Sequence, residues 1–383
     1  MVEFRMPSLG ADMEAGTFVE WLKKPGDRVS RGEIVAVVET QKGAIEIEVF
    51  QSGTLETLIA KPGQKLPVGA PMAIIRGDGE AAAAFAPPPA PAVKALETRP
   101  PPAKAPVAPA LATPSAGIHT SPAARRRAAE LGIDLQKLVG TGPDGAVTSA
   151  DVERAAAAAA PSAAAAMRQA IGAAMARSKR EIPHYYLAHS IDLDPCLRWL
   201  ASENEKRSVA ERILYGALLL KAVALALRDY PEFNGYYVDG AFRPSAQIHL
   251  GVAVALPKGG LVAPAIHDAD RLPLPQLMVA LRDLVNRARR GGLRSSELAD
   301  STITVTSLGE QGAESLFPVI YPPQVAIFGF GMVLDRPWVV DGTVVPRHVI
   351  SASLAGDHRV SDGHRGGRFL TAVAQMLQKP EAL

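Results

Sequence analysis

Cysteine is almost absent: Cys196 stands alone in 383 residues. No internal disulfide can form, and the chain reads as one from a reducing compartment. Neither sign of charge dominates, since 41 Lys and Arg against 39 Asp and Glu leave +2. That balance gives no general electrostatic reason to expect nucleic acid or an anionic membrane as partner. No apolar stretch approaches the roughly 18 uninterrupted residues of a membrane span. The start, Met1-Val2-Glu3-Phe4, lacks a basic segment followed by an apolar core. The expectation is a cytosolic, cytoplasmic protein, although a processed organellar one would look the same. The length exceeds one average domain and leaves room for two or three.

What is present begins with a duplication. Lys24-Pro25-Gly26 recurs thirty-seven positions later as Lys61-Pro62-Gly63, Gly32 recurs as Gly69, and Ala36-Val37-Val38 as Ala73-Ile74-Ile75. Each half reads as strand, Pro-Gly turn, strand. Lys42, in Glu39-Thr40-Gln41-Lys42-Gly43-Ala44, falls at the turn joining the halves, where a lysine is most exposed and most easily modified. Residues 1–79 therefore suggest a carrier with a swinging arm, against the plain alternative of a solvated turn lysine.

This segment resembles the lipoyl domains of 2-oxo acid dehydrogenase complexes, in which the lysine of Glu-Thr-Asp-Lys-Ala carries lipoic acid by an amide link. The resemblance implies an all-β lipoyl-type barrel or sandwich with lipoic acid covalently on Lys42. Gln41 and Gly43 depart from the commonest form. Biotin carriers share the duplicated fold but set the lysine between two methionines, which Gln41 and Gly43 do not offer.

Residues 80–119 are dominated by Ala and Pro, broken by residues such as Lys94, Arg99 and Lys104, with Pro87-Pro88-Pro89 and Pro100-Pro101-Pro102. Such a stretch cannot bury a core and reads as a semi-rigid tether, up to about 120 Å if fully polyproline-like. A second break, 156–166, is alanine-rich around Pro161 and lacks apolar periodicity, so it reads as linker, although alanine alone favours helix. Between them lies a compact piece, 120–155. Ser121 before Pro122 is a sound N-cap, and Gly132 ends that helix. Ser149 is the expected cap of a second helix starting near Asp151.

The piece resembles the peripheral subunit-binding domain of the same complexes, which docks the 2-oxo acid decarboxylase and dihydrolipoamide dehydrogenase components. The likeness implies that Arg125 and Arg126 make the electrostatic contact; the alternative is a solvated helix face. Ala146 stands where the family usually has arginine.

Residues 167–383 are long enough for a substantial core. Leu218–Leu227 reads as a buried helix and Leu274–Arg290 as a helix with a basic last turn suited to its dipole. His249–Leu256, Thr302–Thr306 and Val325–Phe328 read as strands, giving an α/β domain with a mixed sheet. Near the end stands Asp357-His358-Arg359-Val360-Ser361-Asp362-Gly363. This is similar to the Asp-His-Arg-x-x-Asp-Gly motif of dihydrolipoamide acyltransferases, as are Arg168, Ile171 and Met175, Pro231-Glu232-Phe233-Asn234 and Pro322-Pro323-Gln324. The family domain folds like chloramphenicol acetyltransferase and assembles from trimers. Gly356 departs from the tyrosine, serine or cysteine common before Asp357, and Gly216-Ala217 from an Asn-Asp pair.

The resemblance implies transfer of an acyl group, acetyl by default, from dihydrolipoamide to coenzyme A. A coenzyme A thiol is mostly protonated near neutral pH, so a base must take its proton before sulfur attacks the thioester. His358 is the expected base. The family's oxyanion-stabilising hydroxyl matches Thr306 in Thr304-Val305-Thr306-Ser307-Leu308-Gly309. Asp362 either orients a catalytic residue or holds the loop by pairing with an arginine such as Arg168. His358, Asp362 and His364 also invite a metal reading, but no further ligand cluster supports it, and no metal is expected. The alternative of another class is a noncatalytic lipoyl-bearing scaffold of such a complex. A scaffold has no chemical need for His358, Asp362 and Thr306.

Overall fold

The computed structural model describes residues 1–8, 15–40, 43–77, 120–159, 163–257, 259–309 and 312–383. It divides into two compact units, one of 81–162 and one of 1–80 with 163–383. The Ala/Pro tether and Lys42 lie outside the described residues.

The duplication is a structural repeat. Gly26 and Gly63 have φ of 94° and 80°, and Gly32 and Gly69 both have 84°. These left-handed turns suit glycine and recur at matching points of each half. Their amides repeat one pattern: Gly26 donates to Leu55 O and Gly63 to Phe18 O, Gly32 to Val49 O and Gly69 to Met6 O. One sheet runs Val2–Arg5, Pro71–Arg76, Gly53–Leu58, Arg28–Val29; the other runs Gly43–Glu48, Ile34–Thr40, Ala15–Trp21, Lys65–Pro67. Alternation sends Phe18, Met6, Ile45, Ile47, Leu55 and Ile75 into a shared core. Leu293–Arg294 extends the second sheet by pairing in parallel with Ile45 and Glu46. Beside that pairing the buried Glu48 carboxylate accepts hydrogen bonds from Ser296 N and Oγ.

In the small unit, helix Pro122–Leu131 starts as expected: the Ser121 side chain accepts from Ala124 N, and Gly132 closes it at φ 64°. The second helix spans Ser149–Ala159, and its cap is Thr148 rather than Ser149. Thr148 Oγ1 accepts from Asp151 N while the Asp151 carboxylate accepts from Thr148 N, a reciprocal box. Asp151 also accepts from Thr141 N and Oγ1, which ties the 140–146 loop to the helix start. These bonds hold its carboxyl well below the usual range. Ala124, Ala128, Val147 and Val152 form the small core.

The described residues of the expected linker over 156–166 are helical. Residues up to Ala159 continue the second helix, and Ala163–Glu181 is helical from Ala163 onward. Alanine's helix propensity outweighs the missing apolar stripe.

The sheet of the C-terminal domain is mixed, ordered Ala265–Ile266, Leu250–Val252, Ile303–Ser307, Ala326–Val340, Thr343–Asp357, His184–Asp192. The buried helix is Tyr215–Ala226, and Leu274–Arg290 has its expected bounds. Helix Gly363–Leu377 lays Phe369, Leu370 and Val373 into the core, with Phe369 stacked on Phe233 at 4.9 Å.

Two strand expectations needed revision. His249–Leu256 breaks in two, because Gly259 and Gly260, at φ 87° and 96°, let Val254–Ala255 fold onto Leu261–Val262. Val325–Phe328 is only the start of Ala326–Val340, which returns as Thr343–Asp357 through Asp341-Gly342. Both turn residues have positive φ, 50° and 78°, as a two-residue hairpin with Asp-Gly requires.

Candidate functional site

The strand Thr343–Asp357 delivers the Asp-His-Arg segment to the sheet end beside His184–Asp192, where Gly356 pairs with Tyr185 and Asp357 with His184. Asp357 is fully buried. Its carboxylate accepts from Arg359 N at 2.9 Å, Nε at 2.9 Å and Nη2 at 2.6 Å. The pair raises the Arg359 pKa, and the guanidinium lies 3.8 Å above the Tyr237 ring. Charged groups on both sides of His358 thus pair with each other and leave the imidazole between them exposed. His358 N donates to Pro183 O at 3.0 Å, and Val360 N and Ser361 N donate to Asp357 O.

Asp362 begins the last long helix as its N-cap, accepting from Arg365 N at 2.9 Å. Helix amides and the nearby His364 and His358 charges lower its pKa. Its partner is therefore a backbone amide rather than the Arg168 guanidinium. Arg365 in turn pairs with Glu232 and lies over Tyr230.

Thr306 sits half-buried in Ile303–Ser307, between Leu250–Val252 and Ala326–Val340. Its strand is anchored from within: Thr304 Oγ1 donates to Gln324 Oε1 at 2.8 Å, and Gln324 Nε2 donates to Ser301 O at 3.0 Å. Thr302 Oγ1 donates to Asn234 Oδ1 at 2.6 Å. The Pro-Pro-Gln and Pro-Glu-Phe-Asn motifs thus fix the strand that carries Thr306.

Register places Thr306 level with Gly329, and Gly329 level with Ser353. His358 lies two strands across and five residues further along. With strand spacings of about 4.8 Å and about 3.3 Å per residue, the two Cα atoms are roughly 19 Å apart. One chain therefore does not bring His358 and Thr306 onto a common reacting atom. It does bring His358 and Asp362 into one loop.

Lys42 lies outside the described residues. Its flanking strands pair to their ends, Thr40 opposite Gly43, so the only residues between them are Gln41 and Lys42. Arg125 and Arg126 are exposed on the first helix of the small unit, and Arg125 Nη2 donates to Thr120 Oγ1. Among the described residues no group of three His, Cys, Asp or Glu side chains stands together to hold a metal ion. No helix among them is long and apolar enough to cross a membrane.

Sequence reasoning missed Tyr185. Its hydroxyl lies 2.7 Å from Ser361 Oγ, and its ring meets the His358 imidazole edge-on at 5.3 Å. Burial pushes the phenol up to about 12. Neighbouring His184 is structural: Nδ1 faces Ile182 O, Nε2 accepts from Ile320 N, and burial lowers its pKa. The one sequence signal for Tyr185 was Gly356, whose small size makes the space the ring occupies.

Comparison with known proteins accounts for all three parts. Residues 160–383 match the 2-oxoacid dehydrogenases acyltransferase (catalytic domain) family, 2–75 match the family described as biotin-requiring enzyme, and 118–153 match the e3 binding domain. The chain is 30% identical over 433 residues to the dihydrolipoyllysine-residue acetyltransferase component of the pyruvate dehydrogenase complex of Zymomonas mobilis, covering 99% of this chain and 98% of that one. It is 32% identical over 401 residues to the corresponding component of the acetoin cleaving system of Bacillus subtilis, covering 100% and 99%. Among solved structures, the dihydrolipoamide acetyltransferase of Azotobacter vinelandii is 29% identical with a TM-score of 0.53, over 57% of this chain and 90% of that one. The cubic core of a pyruvate dehydrogenase multienzyme complex aligns with a TM-score of 0.54 and 29% identity, over 57% and 90%.

Proposed function

Because this chain belongs to the 2-oxo acid dehydrogenase acyltransferase family, we propose that its 167–383 domain moves an acyl group from dihydrolipoamide to coenzyme A with His358 as the general base. The 1–79 domain is the carrier, with lipoic acid amide-linked to Lys42, and the chain is the core component of a 2-oxo acid dehydrogenase complex. The observation that carries the assignment of the base is an exposed imidazole on a loop pinned by the pairing of Arg359 with the buried Asp357 and followed by the Asp362 helix cap. The Azotobacter enzyme's mechanism was investigated through a serine, a histidine and an asparagine. Those three are spaced along its chain as Thr306, His358 and Asp362 are along this one.

His358 accepts the proton of the coenzyme A thiol, and the sulfur attacks the thioester carbonyl. The bond to the carrier sulfur breaks, and His358 returns the proton to the departing thiolate. The lipoyl group, when attached at Lys42, supplies the thiol that bears the acyl group. The Thr306 hydroxyl donates to the oxyanion as it forms, a contact whose loss typically costs roughly 2.7–4 kcal/mol. Because Thr306 and His358 of one chain stand roughly 19 Å apart, the hydroxyl at each site comes from a neighbouring copy in a trimer-based core. Asp362 keeps the loop in place.

Arg125 and Arg126 are the contact for the decarboxylase and dihydrolipoamide dehydrogenase components. The acyl group is acetyl, supported by the acetyltransferase relatives from Zymomonas and Bacillus. The protein works in the cytoplasm, supported by its single cysteine, buried and free.

His358→Ala tests the base. Acyl transfer should fall by about 10²- to 10⁴-fold while lipoylation of Lys42 is unchanged, and an unaltered transfer rate would reject the assignment. A panel of acetyl, isobutyryl and succinyl thioesters tests the acyl group, with acetyl expected fastest.

A further inference from the structure

We propose that Tyr185 is the positioning residue for His358, admitted to the site by Gly356. The inference rests on His358 as the base. Tyr185 and Gly356 are direct partners in neighbouring antiparallel strands. A Cβ at position 356 would come within 2.5 Å of Tyr185 Cζ and 2.6 Å of its Oη, so the ring lies where any other residue's side chain would begin. On the helix side, a Cβ at Gly366 would come within 3.1 Å of Tyr185 Cε2. The ring is thus bounded by two glycines, one on the strand and one on the helix, and has little room to turn.

From that slot it reaches the loop twice. Its edge meets the imidazole of His358 at a centroid distance of 5.3 Å and an interplanar angle of 72°, a favourable aromatic geometry. Its hydroxyl shares a 2.7 Å hydrogen bond with Ser361 Oγ, three residues beyond the base. The Asp357–Arg359 pair and Asp362 hold the backbone on either side of His358, but neither contact limits rotation of the ring itself. Tyr185 is the aromatic neighbour of that ring, and its bond to Ser361 fixes where the tyrosine stands. A base must lie within hydrogen-bond reach of the proton it takes, so small changes in ring orientation act on the chemical step rather than on binding.

The test uses the full-length, lipoylated, assembled protein. Tyr185→Phe and Ser361→Ala each remove one end of the hydroxyl contact and leave the ring slot filled. Each should lower kcat about three- to tenfold, the scale of one hydrogen bond's net contribution, with KM for coenzyme A and dihydrolipoamide within about twofold of wild type. Because both act through one contact, the double variant should be no slower than the slower single. Combined with His358→Ala, Tyr185→Phe should cause no further loss.

Unchanged kcat in both singles would overturn the proposal, as would multiplicative losses in the double. An equal loss in the His358→Ala background would overturn it too. Melting temperatures of the variants within a few degrees of wild type separate a local effect from a folding defect; a kcat loss that tracks lost stability would also overturn it. If His358→Ala itself keeps full activity, the assignment of the base fails instead, so the two failures are distinguishable.

Discussion

Mixing two inactive variants tests how the site is assembled. Within one chain, Thr306 shares its level with Ser353 across two strand spacings, about 10 Å, and His358 lies five residues, about 16 Å, further along. Side chains of these sizes reach at most about 7 Å together along the line between them, leaving about 12 Å uncovered. A base and an oxyanion donor serving one thioester each need contact near 3 Å. His358→Ala chains lose the base, and Thr306→Ala chains lose the donor, typically a 10²- to 10³-fold effect. Co-expressed in equal amounts with different tags, they form mixed assemblies. A site drawing His358 from one chain and Thr306 from its neighbour is intact in about one case in four, given random closed assembly. Acyl-coenzyme A formation should therefore recover to about a quarter of wild type, far above either parent. Recovery no greater than the average of the two parents, in assemblies shown to contain both tags, would mean that each chain builds its own site, and the two-copy arrangement would fall.

Two further outcomes follow from the other parts of the chain. Lys42→Arg should abolish flux through the complex while the purified core still uses free dihydrolipoamide at the wild-type rate, and an inactive, well-folded variant would count against separate carrier and catalytic units. In the small domain, Asp151 is held ionised by Thr141 and Thr148. Its folded pKa lies below the unfolded one, so its contribution is present above the ordinary carboxylate range, near pH 4, and is lost as pH falls through the folded value. Asp151→Ala should speed amide exchange at Thr141 and Thr148 at neutral pH and weaken binding of dihydrolipoamide dehydrogenase, with acyl transfer by the core unchanged; protected amides in the variant would refute the role.

Much of this protein is written in local order. The Lys-Pro-Gly and glycine repeats mark the halves of the carrier, because left-handed turns demand glycine wherever they fall. Ser121 and Gly132 bound a helix for equally local reasons, and the spacing of Leu274, Leu277, Met278 and Leu284 sets a buried stripe. The Asp-Gly turn at 341–342 was legible too, and weighing it would have extended Val325–Phe328 into the long hairpin. The Thr148 cap was less so, since Thr148 and Ser149 both offer a hydroxyl and only Asp151's reach chooses between them.

The sequence by itself determined the division into carrier, small helical and catalytic parts, and it marked Lys42, Thr306, and His358 with Asp362, since these lie in three short local motifs. Tertiary structure alone decided which of these meet. Strand pairing set Tyr185 against Gly356 and His358, residues remote along the chain, and held Thr306 two strands away from the base. Such distances depend on register, a sum of many weak cross-strand contacts with no counterpart in any single stretch of residues.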